Sequence, residues 1–126
     1  MRPATSGAVA ALVWAAVEPI DKRVFRHDYS DVEMLGKLVT RSRAWPVAGL
    51  AVHAANGAAF GAAAARLRIR PLHLALVENV ALYPLSYFVD RRHPARGELA
   101  PLLSWRGFAQ ATFRHALFGL AVEKLQ

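Results

Sequence analysis

Residues 44–65 read AWPVAGLAVHAANGAAFGAAAA, 22 consecutive positions without Asp, Glu, Lys or Arg. As a helix rising about 1.5 Å per residue, the stretch matches the roughly 30 Å hydrocarbon core of a bilayer. A helix of a soluble bundle would carry polar side chains every three or four positions, but only His53 and Asn56 interrupt this run. A helix apolar all round belongs in lipid or in a large core, and 126 residues cannot enclose a large core.

Three further stretches follow from the same reading. Residues 71–89 carry one charge, Glu78, and residues 3–20 are apolar apart from Thr5, Ser6 and Glu18. The last, 105–122, is weaker because it holds Arg106, Gln110, Arg114 and His115. The expected fold is therefore all-α: a four-helix transmembrane bundle forming one integral membrane domain over 1–126, with spans at about 3–20, 44–65, 71–89 and 105–122. Arg2 and the apolar run after it resemble the start of a signal peptide. However, Glu18-Pro19-Ile20-Asp21 stands where a small-residue cleavage site would lie, so a retained first span is expected.

Composition agrees with this class. Apolar residues make up 55% of the chain, which excludes disorder, and 25 alanines keep the mean hydropathy at only +0.21. With no cysteine there is no disulfide scaffold, zinc ribbon or thiol nucleophile. The net charge of +7 comes from 13 Arg and 3 Lys against 9 acids. These bases cluster at span ends (Arg41 and Arg43; Arg66, Arg68 and Arg70; Arg91 and Arg92) beside Trp45, Tyr83, Tyr87, Phe88 and Trp105. Arg beside interfacial aromatics points to phospholipid head groups, and no basic stripe with interleaved aromatics points to nucleic acid.

Among the connections, 21–43 is the longest. Ser30-Asp31-Val32-Glu33 has capping-box form, and Val32, Leu35, Leu38 and Val39 follow at helical spacing. A short amphipathic helix over about 31–41 is expected, lying on the membrane surface or packed on the bundle. Residues 66–70 are too few to let the second and third spans be anything but antiparallel neighbours. Residues 90–104 hold Pro94, Gly97 and Pro101 and read as irregular. The first and third connections hold nine Lys and Arg and the other side five, which places both termini outside.

The two halves read alike. Glu18 and Pro19 in the first span, then Glu78 and Pro84 in the third, are each followed by a His-x-x-x-Gly pair, His53 to Gly57 and His115 to Gly119. Tandem hairpins inserted in the same orientation would give this pattern.

Gly49, His53, Gly57 and Gly61 share one helical stripe, and small residues at this spacing let helices approach closely. His53, Glu78 and His115 all fall near mid-bilayer, where an ionisable group is costly and points to a site. Arg114 at that depth demands a carboxylate, for which Glu78 is the expected partner, while Glu18 reads as interfacial. Asn56 and Asn79 can bridge helices. His27 and His93 in connections, and His73 near a span end, read as solvated or interfacial.

Three roles fit the central group. It is a satisfied polar network gluing the helices, a metal or haem site, or a proton or ion site. For haem, His53 and His115 would be axial ligands, with room beside Gly57 and Gly119; for zinc or iron, Glu78 would join them. No phosphate-binding Gly loop, Ser-His-Asp set or HExxH motif supports a soluble-type enzyme. The expected action is helix–helix association, as a homo-oligomer or as an accessory subunit of a membrane complex, with the intramembrane cofactor or ion site as the alternative.

The segments Ser6-Gly7-Ala8-Val9-Ala10-Ala11, His53-Ala-Ala-Asn-Gly57-Ala-Ala-Phe60-Gly61 and His115-Ala-Leu-Phe118-Gly119 resemble small four-span bacterial membrane proteins of the YagU-like kind. The resemblance covers about half of the chain. It implies a four-span fold in the bacterial inner membrane and no established activity.

Overall fold

Proline is tolerated in the first turn of a helix because the N–H it lacks would have no intrahelical partner. Pro3, Pro46 and Pro71 occupy such positions in the computed structural model, which describes residues 1–126, and they open α1 (Pro3–Phe25), α3 (Trp45–Leu67) and α4 (Pro71–Leu82). The other helices are α2 (Asp31–Val39), α5 (Leu85–Arg92) and α6 (Trp105–Leu125), and there is no strand. The expected third span is broken: α4 and α5 meet at 50°. The break falls at Pro84, whose ring and missing N–H interrupt the helical ladder. α1 runs five residues beyond its expected end, and both it and α3 close on a left-handed arginine, Arg26 (φ 51°) and Arg68 (φ 54°).

α1 and α3 are long and apolar enough to cross a membrane, and the bent α4–α5 pair is a third candidate if taken as one span. α6, which carries Arg106, Gln110, Arg114 and His115 among its polar residues, falls short of that mark. Only a third of the most apolar window of α1 and of α3 is buried inside the protein. Much of the outer surface is itself apolar, with Val24 of α1, Val47 of α3 and Val77 of α4 at 70%, 73% and 65% exposed. So broad an apolar exterior suits lipid rather than water.

The long helices form a row, α3–α1–α6–α4, each antiparallel to the next, while α3 and α4, joined by a tight turn, barely touch beyond it. In lipid, helices are held by close packing rather than by expulsion of water, so small residues at the crossings matter. A Cβ on Gly57 would lie 2.4 Å from the Gly7 carbonyl oxygen, and one on Gly61 would lie 2.1 Å from that of Pro3. The stripe is divided, since Gly49 meets the carbonyl of Val32 in α2 instead. Gly119 repeats the arrangement in the second half, where its Cβ would come within 2.6 Å of Leu72 Cα in α4. Thus α3 packs on α1 as α6 packs on α4. The apolar core between them is small: Ala10, Ala11, Trp14, Phe60, Ala64, Ala75, Phe118 and Val122.

One end of the bundle carries both termini and the 66–70 turn, tied by Ser6 Oγ donating to the Leu125 carbonyl (3.1 Å). The opposite end is a cap made of α2, α5 and 93–104. Ser30 Oγ accepts from Glu33 N (3.1 Å) at the start of α2, as the capping box requires. α2 lies against α3, with Gly36 on the Trp45 carbonyl. Glu98 pairs with both Lys37 and Arg41, joining the two connections. Those partners hold the Glu98 carboxyl below its usual range, Lys37 foremost, and the bonds from Lys37 to Glu33 and Glu98 raise the ammonium.

The histidines of the connections are buried rather than solvated, and they latch the halves reciprocally. His27, after α1, reaches the Pro101 carbonyl (2.7 Å), while His93, after α5, donates to the Met34 carbonyl (2.8 Å). His73 is exposed, as its position at a span end suggested.

Candidate intramembrane polar site

α6 places Gln110 and Arg114 four residues apart on the face turned to α1, where α1 offers Glu18 and Asp21, three residues apart on one face. The Arg114 side chain is 1% exposed. Its Nε and Nη2 donate side-on to the two oxygens of Asp21, each at 2.7 Å. Nη1 donates to Asp31 (2.8 Å) and Nη2 also to the Tyr29 carbonyl (2.8 Å), with Glu18 at 3.7 Å. The expected partner, Glu78, takes no part: α6 lies between α1 and α4, and the guanidinium turns to α1, where the planar fork of a carboxylate is available.

Glu18 is likewise buried within the protein. It accepts from Ser30 Oγ (2.6 Å) and from the Asp31 N–H (2.9 Å), placing its charge at the N-terminus of α2. Gln110 donates to Asp21 and to the His27 carbonyl, both at 2.9 Å, so its own oxygen faces His27 Nδ1. His27 Nε2 faces the Pro101 carbonyl. Burial, with Asp31 nearby, pushes the Tyr29 phenol well above its usual range.

Trp14 connects this ionic cluster to the histidines. Its Nε1 donates to Asp31 (3.1 Å), and its indole packs edge-on against His53 and His115, with centroids 5.3 and 5.0 Å away. His115 Nδ1 donates to the Ala111 carbonyl (2.8 Å). His53 is 7% exposed, and its Nε2 is the one buried side-chain nitrogen or oxygen without a hydrogen-bond partner.

Two adjoining cavities flank this column. One, of about 160 Å³, lies under the cap among α2, α4, α5 and α6, beside Tyr29 and Arg114. The other, of about 190 Å³, lies in the loose seam between α3 and α4 and is lined by His53, Asn56, Glu78 and His115, with Phe60 and Phe118. Trp14, Asp31 and His115 border both. Glu78 forms no ion pair.

The structure therefore brings His53, Asn56, Glu78 and His115 together and sets Arg114 apart from Glu78. No group of three His, Asp or Glu side chains is close enough to hold a metal ion. The room expected for a macrocycle beside Gly57 and Gly119 is filled by α1 and α4, and Trp14 lies against both imidazoles. Asn79 bridges helices as expected, donating to Thr112 (2.9 Å). Sequence reasoning missed Trp14, Asp21, Tyr29 and Asp31. The one available signal was the Glu18/Asp21 spacing facing the Gln110/Arg114 stripe. No protein-family model, curated protein or solved structure matches the chain.

Proposed function

We propose that the chain is a multi-pass protein of the bacterial inner membrane, in which α1, α3, the bent α4–α5 pair and α6 cross as a four-span bundle. Its function rests on Glu78 as a protonatable carboxylate in an intramembrane chamber with His53 and His115. One observation carries this reading: Glu78, the only charged residue of α4, is unpaired and lines the same cavity as both histidines. Arg114 is already saturated by Asp21, Asp31 and Glu18 and is not available to neutralise it. A lone carboxylate at membrane depth resides there as the acid or beside a cation.

Association with a second copy or another membrane protein is the competing reading. The glycine faces that suggested it are covered by helices of the same chain, so an association would use the outer apolar surface.

Reaction with a lipid-soluble carbodiimide, which modifies protonated carboxyl groups within membranes, tests the proposal. Mass spectrometry of the full chain in bilayer discs is expected to find Glu78 as the principal adduct, decreasing as the pH rises. Glu78→Gln should remove the adduct. Labelling that ignores this substitution, or no labelling at all, would overturn the reading.

A further inference from the structure

We infer that the α3–α4 cavity is a binding site for a small organic cation with an apolar body, a quaternary or protonated amine, held by Glu78 against Trp14, Phe60 and Phe118. The inference rests on the reading of Glu78 as an intramembrane carboxylate and adds the class of ligand.

Charge gives the first argument. The cavity is lined by Asp31 from α2, His53 from α3, Glu78 from α4 and His115 from α6, and the adjoining one by Tyr29, Asp31, Tyr83, Arg114 and His115, with Glu18 and Asp21 of α1 behind Arg114. Arg114 is taken up by Asp21, Asp31 and Glu18, and no Lys or Arg pairs with Glu78. The region calls for positive charge, and Glu78 is the member left without a partner.

The lining gives the second. Besides Asn56 and the imidazoles, the cavity's polar side chains are the acceptors Glu78 and Asp31. His53, more than nine-tenths buried with an unpartnered ring nitrogen, borders the same space. Aromatic rings beside a carboxylate are the surroundings that bind ammonium groups by cation–π attraction. A metal ion is disfavoured, because no three ligating side chains converge.

Size and access give the third. A volume of about 190 Å³ exceeds the roughly 150 Å³ known to hold a benzene ring, and the adjoining cavity of about 160 Å³ extends it past Trp14. The seam between α3 and α4 is the least closed in the bundle, so an apolar cation can enter from the lipid side.

The test uses the full chain in bilayer discs, with Trp45→Phe and Trp105→Phe leaving Trp14 as the only indole. Benzyltrimethylammonium is the probe, and the Trp14 N–H resonance is the readout. A saturable shift is expected at pH 8, with weaker affinity at pH 5, where protons compete for Glu78. Neopentylbenzene, the same shape without the charge, should bind at least about tenfold more weakly. Glu78→Gln should lose the shift and Glu78→Asp keep it in part, both with unchanged helical circular dichroism. Equal shifts from the charged and neutral probes, retention in Glu78→Gln, or no saturable shift at either pH would overturn the inference. If the carbodiimide still labels Glu78 while the cation does not bind, the ligand class falls and the protonatable site stands; if both fail, both fall.

Discussion

Replacing Arg114 by Met tests the ionic cluster most directly. The side chain is sealed from solvent and donates four hydrogen bonds of 2.7–2.8 Å, to Asp21, Asp31 and the Tyr29 carbonyl. Methionine fills comparable space but leaves Asp21 with only Gln110, and Asp31 with only Trp14, as side-chain donors. Stranding a buried partner of this kind costs about 3–5 kcal/mol, a large share of the roughly 5–15 kcal/mol that holds a typical domain together. Arg114→Lys keeps the charge without the planar fork and should lose about 2 kcal/mol. Because the penalty lies in the stranded acid, Asp21→Asn combined with Arg114→Met should recover at least about 1.5 kcal/mol relative to Arg114→Met alone. Reversible unfolding in mixed detergent micelles, followed by circular dichroism, measures each variant. A loss below about 1 kcal/mol for Arg114→Met, or no relief from Asp21→Asn, would refute the argument.

Three further outcomes are expected. Gly57→Ala and Gly119→Ala each force a Cβ into a neighbouring helix and should cost about 1–3 kcal/mol, whereas Gly97→Ala, with nothing within 4 Å, should be neutral in the same assay. Since the carboxyl of Glu98 is depressed in the folded cap, its contribution is complete above the ordinary glutamate range and is lost as the pH falls below about 4. Trp45, 5.3 Å beneath the Lys37 ammonium, should report that acid opening by fluorescence when it is the only indole, and Glu98→Gln should abolish the transition. Arg68→Gly, at a left-handed helix end, should raise the unfolding free energy by up to about 1 kcal/mol, and a destabilised variant would contradict the φ of 54°.

What the sequence makes legible is set by interactions along one helix. A run without charges marks α3, proline marks the helix starts, and Ser30 with Glu33 marks α2, because each signal acts within a few residues. The choice between Glu78 and Asp21 for Arg114 is of another kind. Both acids lie on helices adjacent to α6, and only the rotation of α6 about its axis selects one. Glu18 reads as interfacial when the first span is ended at Ile20. It becomes interior because α1 continues to Phe25 and the start of α2 folds over it. His27 and His93 bind carbonyls 74 and 59 residues away, contacts that no local pattern encodes. The gathering of His53, Glu78 and His115 was legible from depth alone, since antiparallel spans bring mid-span residues to one level. Trp14, which joins them to the acids, carries no sequence mark to set it apart from an ordinary core aromatic.

The acid–base cluster also fixes a timetable for the chain's synthesis. Arg114 is added 93 residues after Asp21 and 83 after Asp31, so the ribosome delivers the acids long before their base. Until α6 arrives, Glu18, Asp21 and Asp31 wait at the cap end of the nascent bundle with no guanidinium to answer them. The final helix, the least apolar of the long ones, is drawn to its place by a debt of charge left by the first. The cluster thus closes only when α6 is in place, and a chain arrested before Trp105 is left with its acidic end unsealed.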